Sequence, residues 1–127
     1  MRLISYKIKN EAHIQTGLLI NDDLDVLPLT SNGLPGDMNE LVKLGINEIK
    51  NIISHLKDDV IKLKTSDVKI LAPIPRPLRN IMCVGKNYHD HAKEFYGSGF
   101  DSSGKKAIAD FPVIFTKATT SVIATND

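Results

Sequence analysis

The sequence predicts an α+β fold: a small antiparallel-sheet N-terminal domain with two short helices, then the first helix and strands of a β-rich segment. Three observations carry this. Ile4, Tyr6 and Ile8 alternate with Ser5 and Lys7 near the N-terminus, the period of a half-buried strand. Ile46, Ile49, Ile52, Ile53 and Leu56 recur at the spacing of one helix face. Between the two halves, Pro73, Pro75 and Pro77 fix an extended course and remove backbone donors, which suits neither a helix nor a sheet interior.

The first strand, at Ile4–Ile8, is followed by the apolar run GLLI (17–20) and by Leu24 and Val26 on either side of Asp25. Asn21, Asp22 and Asp23 separate these runs, and both residue types tolerate turn geometry. Strand, turn, strand is therefore expected. Asp37 with Glu40 makes a capping-box pattern for a first short helix with Met38, Leu41, Val42 and Leu44 on its apolar face. Gly45 suits the left-handed residue that ends it. The Ile46–Leu56 stripe is the second helix, and its isoleucines are core. VIKLK (60–64) and VKIL (68–71) read as two more strands. A domain boundary at the proline run divides the chain into 1–72 and 73–127.

Past the boundary, NIMCVG (80–85) is a short apolar strand ending in glycine. PVIFTK (112–117) is another, and SVIA (121–124) a possible last one. YGSGFDSSGKKAIAD between them is a Gly/Ser-rich loop.

Composition excludes several functions. The chain has 127 residues with 42% hydrophobic and 24% charged, which is globular. Sixteen Lys and Arg stand against fifteen Asp and Glu, for a net charge of +1, so nothing points to nucleic acid or to a membrane as a partner. One cysteine, Cys83, forms no internal disulfide, and the charged, alternating N-terminus does not resemble a signal peptide. No apolar run approaches membrane-spanning length. A cytoplasmic location is expected.

The richest chemistry lies in GKNYHDHAKEF (85–95). Asn87 suits a helix N-cap, and the helix then runs to about Phe95. Tyr88, His91, Ala92 and Phe95 share one face of it, expected to point inward, and Glu94 follows His91 by three positions. A carboxylate one turn away fixes the tautomer of an imidazole and stabilises its protonated form, so His91 and Glu94 suit a general base. The same spacing also suits a half-buried histidine in a helix ion pair. His89 and His91 do not converge as a metal pair, because residues two apart on a helix diverge. GFDSSGKK (99–106) begins like a phosphate-binding loop, but Lys106 stands where Ser or Thr should hold magnesium, and no strand leads in.

The order of residues says more. LAPIPRPLRNIMCVGKNYHDHAKEF, followed by FPVIFTKATTSVIATND, resembles the fumarylacetoacetate hydrolase family. The similarity is greatest to a bacterial branch of hydroxyhepta-diene-dioate isomerases and acylpyruvases. The matched pieces are PIPRP, the run from NIMCVGKNY through His91 to Glu94, and FPVIFTK; they cover residues 71–127 with one loop insertion. The segment before Leu71 resembles that branch's N-terminal domain more loosely.

The resemblance implies a parent enzyme, homodimeric, acting on beta-diketo or 2-oxo acids by carbon–carbon hydrolysis, decarboxylation or isomerisation. It implies Mg2+ or Mn2+ as cofactor in the complete enzyme, holding the substrate's oxygens. His91 and Glu94 match the catalytic dyad, Lys117 matches a lysine near the substrate, and Tyr88 belongs to the same motif as a substrate contact. Lys86 and Asn87 shape it. The family's metal ligands, a Glu-x-Glu and a later Asp, are expected downstream of Asp127, so no metal is expected to bind this chain. The second segment then reads as the first helix and strands of an incomplete catalytic domain, inactive on its own. The competing reading is a non-catalytic assembly module.

Overall fold

The computed structural model describes residues 1–56, 59–96, 98, 111–125 and 127, without the side chains of His91 and Phe95. The GFDSSGKK run lies outside the described residues. The chain divides into two units: Met1–Leu78 together with Val122–Asp127, and Arg79–Ser121.

In the first unit, β1 (Arg2–Ile8), β2 (Gln15–Ile20) and β3 (Asp25–Pro28) form an antiparallel meander. The β2–β3 turn is built as the sequence requires. Asn21, Asp22 and Asp23 all take positive φ, at 51°, 52° and 69°, a region that Asn and Asp enter most readily among residues with a side chain. Asn21 Nδ2 donates to Asp25 Oδ2 at 2.6 Å across the turn, and Arg2 pairs with Asp23. With β4 (Leu63–Lys64) and β5 (Val68–Ile70), the sheet has five strands in the order β4-β3-β2-β1-β5. Its two edge strands are joined by a single 3-10 turn, Thr65–Asp67. So short a link brings the edges together and curls the sheet. Inside the curl, Ile4, Tyr6, Val26 and Val68 pack with Ile8, Leu19 and Leu63.

The other face carries the helices α1 (Met38–Lys43) and α2 (Ile46–Ser54). Leu18, Leu27, Leu29, Leu34, Met38, Leu41 and Ile49 form its core. Asp37 caps α1, its carboxylate accepting the N–H groups of Asn39 and Glu40. The reciprocal half of a capping box does not form, because Glu40 pairs with Lys43 instead, at 2.6 Å. The expected apolar face of α1 is also narrower. Val42 and Leu44 are exposed, since a helix of six residues presents only Met38 and Leu41 to the sheet. Ile46 is likewise half exposed, and the buried stripe of α2 begins at Ile49. Gly45 takes φ 80° and ψ 152°, open to glycine but not left-handed helical; it leads into α2 instead of closing α1 in a left-handed turn.

The VIKLK strand is confined to Leu63–Lys64. β3 offers partners only at Asp25 and Val26, and Ile61 stays in solvent. SVIA is not a strand: a 3-10 turn covers Thr119–Ser121, and Ala124 is buried in the first unit. Two buried hydroxyls hold proline carbonyls, Ser5 Oγ donating to Pro73 O (2.8 Å) and Thr16 Oγ1 to Pro35 O (2.6 Å). Proline segments have carbonyls but few donors, so side chains must satisfy them.

The second unit contains β6 (Ile81–Gly85), α3 (His89–Tyr96) and β7 (Val113–Lys117). β6 and β7 pair antiparallel from Ile81↔Lys117 to Gly85↔Val113. One face of the ribbon is exposed and apolar, at Met82, Val84 and Ile114.

Candidate functional site

The candidate site is built on the turn from β6 into α3. At the end of the strand Lys86 takes φ 53°, left-handed backbone that costs a side-chain-bearing residue about 1–2 kcal/mol. The motif's lysine thus marks the point where the chain reverses its twist and starts a helix. α3 begins at His89, with Ala92 N–H donating to Tyr88 O at 2.9 Å, so Tyr88 and not Asn87 flanks it.

On α3, positions 91 and 94 stand three apart and share one side of the helix. Glu94 is exposed; the side chain of His91 is outside the described set. Ala92 is buried, as its face requires, but Tyr88 is 73% exposed and does not join an inward surface. Its place just before the first turn frees it from the helical spacing that the sequence suggested. Asp90 and Lys93 approach to 4.0 Å on the exposed side, a pair worth little in water.

Lys117 lies at the other end of the ribbon. It pairs with Ile81, whereas α3 is reached through Gly85, opposite Val113. Four residues of strand separate these ends, roughly 13 Å at the rise of an extended chain. Lys117 shares its ribbon face with Cys83 and Phe115. Among the described residues, no three His, Cys, Asp or Glu side chains come together as a metal site. The magnesium or manganese that the sequence resemblance implies therefore finds no ligand set among them.

No family model matches the chain. Individual relatives do. The oxaloacetate tautomerase YisK of Bacillus subtilis is 47% identical over 62 residues, 49% of this chain and 18% of that protein. A mitochondrial oxaloacetate tautomerase of Xenopus laevis is 27% identical over 129 residues, covering 100% of this chain and 37% of its own length. The fumarylacetoacetate hydrolase domain-containing protein 2 homolog of Dictyostelium discoideum is 27% identical over 133 residues, again across 100% of this chain and 39% of its own.

Its curated relatives are oxaloacetate tautomerases and fumarylacetoacetate hydrolase domain-containing proteins.

The relatives named as tautomerases are enzymes. The chain spans less than two fifths of the length of these three relatives. Among the described residues no helix is long and apolar enough to cross a membrane. Sequence reasoning found the family motif but missed the left-handed Lys86, for which a lysine gives no conformational signal.

Proposed function

We propose that this chain is the N-terminal part of an isomerase of 2-oxo dicarboxylates, one that interconverts keto and enol forms of an oxaloacetate-like acid. The observation that carries the reading is similarity across the whole chain to proteins named oxaloacetate tautomerases. In this reading His91 removes a proton from the carbon next to the ketone and Glu94 steadies the imidazolium. The proton is returned at oxygen, so no atom is gained or lost. Lys117 and Tyr88 contact the substrate. No step is assigned to a metal. The proposal includes a homodimeric complete enzyme in the cytoplasm.

The test uses the complete protein, followed spectroscopically as enolic oxaloacetate converts to the keto form. His91→Ala and Glu94→Ala are each expected to slow turnover by about 10²–10⁴-fold, the usual contribution of a general base, with little change in melting temperature. Near-full turnover in both variants would rule out the dyad. Hydrolysis of an acylpyruvate without tautomerisation would move the protein to the hydrolytic branch. No turnover at all would favour the assembly-module reading. Fractionation decides the compartment, with mitochondria as the alternative, because the Xenopus relative is named mitochondrial.

A further inference from the structure

The first unit holds a cleft of 330 Å³, lined in part by Pro75 and Arg76 of the PIPRP run and by none of Tyr88, His91, Glu94 or Lys117. Pockets for small molecules start at about 300 Å³, so the space suits a compact ligand. Its floor is apolar, formed by Ile14, Met38 and Pro75. Arg76 stands at one side, exposed and without an ion pair among the described residues. Its backbone is fixed, since Asn39 Nδ2 donates to Arg76 O at 3.1 Å and ties the proline run to α1. Thr30 Oγ1 is enclosed at the wall with no hydrogen-bond partner among the described groups.

Asp37 also borders the cleft, but its Oδ1 already accepts the N–H groups of Asn39 (2.7 Å) and Glu40 (3.3 Å). Besides the second Asp37 oxygen, Oδ2, the polar side-chain groups of the cleft without a hydrogen bond among the described residues are the Arg76 guanidinium, the Thr30 hydroxyl and the His13 imidazole. We propose that this cleft binds a small organic carboxylate, its hydrocarbon body on Ile14, Met38 and Pro75 and its carboxylate on Arg76. A guanidinium fork matches a carboxylate in plane and spacing. Gly36 keeps the cleft open: a Cβ there would stand 3.4 Å from Thr30 Oγ1. The inference is independent of the reading of His91 and Glu94, which lie in the other unit.

The test is an amide NMR titration of the 127-residue chain with butyrate, and in parallel with sulfate and butylamine. Butyrate is expected to give saturable shifts at Thr30, Gly36 and Met38. Arg76→Ala is expected to weaken it about tenfold or more, the effect of losing one charge-assisted hydrogen bond. Gly36→Ala, whose new methyl makes only ordinary contacts, is expected to weaken it as well, while exposed Lys50→Ala leaves it unchanged. Shifts that never saturate, or wild-type affinity in Arg76→Ala, would overturn the proposal. So would sulfate binding as tightly as butyrate, which would remove the apolar floor from recognition. Preference for butylamine would overturn it in favour of an Asp37-centred cation site.

Discussion

Tyr6 and Gly17 are packed so closely that position 17 has no room for a side chain. A Cβ on Gly17 would lie 3.0 Å from Tyr6 Cε1 and 2.7 Å from Val26 Cγ1. Tyr6 and Val26 are both fully buried inside the curled sheet and cannot withdraw into solvent. Gly17→Ala is therefore expected to destabilise the first unit by about 1–3 kcal/mol, the usual cost of overpacking. Urea unfolding followed by tyrosine fluorescence checks it; an unchanged midpoint would show that the sheet relaxes freely here.

A second prediction separates the two apolar residues of α1. Leu41 is wholly buried and Val42 half exposed, although they are neighbours. Leu41→Ala is expected to cost about 2–5 kcal/mol, the range for a buried aliphatic truncation. Val42→Ala is expected to stay within about 0.5 kcal/mol, as for other surface changes. Equal effects in a denaturant titration would mean that α1 packs on a different face.

Acid is expected to loosen the first unit through two carboxylates. Hydrogen bonds from Lys64 and Asn21 hold the Asp25 carboxyl below its usual range. A hydrogen bond from Lys69, then one from the Ala124 N–H, does the same for Asp127. A carboxyl whose folded pKa is depressed contributes stability above its unfolded value, and loses it as pH falls through the folded one. The melting temperature is thus expected to drop as pH falls below about 4, the unfolded carboxylate value. In Asp25→Asn that drop should be shallower. A variant with the same acid profile as the parent would remove Asp25 from this account.

Lys117 offers a kinetic test in the complete protein. If it binds a substrate carboxylate, Lys117→Gln is expected to reduce kcat/KM by roughly 10- to 100-fold, the value of a hydrogen bond to a charged group. Unaltered kcat/KM would leave Lys117 as a strand-end residue paired with Ile81.

Much of the fold was legible because local chemistry and tertiary structure agree. The Asn21–Asp23 turn and the Asp37 cap each follow from the residues that form them; Ile4–Ile8 is a strand as expected but not a half-buried one, because Ser5 is as buried as Ile4 and Tyr6. Where reading failed, the deciding partner was distant in sequence. Val42 and Leu44 look like core until the length of α1 is known. VIKLK has strand composition throughout, but only Leu63 and Lys64 meet β3. At the candidate site, the sequence supplied the motif and the order of His91 and Glu94. It could not place Tyr88 in solvent, because that depends on α3 starting one residue later. The Arg76 cleft was invisible for the same reason: His13, Thr30, Gly36 and Arg76 meet only through the folded sheet.

The assignment of Val122–Asp127 to the first unit bears on how the chain matures during synthesis. The second unit is spliced into the first, leaving at Leu78 and returning at Val122. Lys69 therefore waits for Asp127, 58 positions later, before its ion pair can close. Loops of that length close at only a modest entropic cost, but contacts between such distant positions slow folding. All five strands of the sheet precede position 71, so every strand is synthesised before the residue that pairs with Lys69.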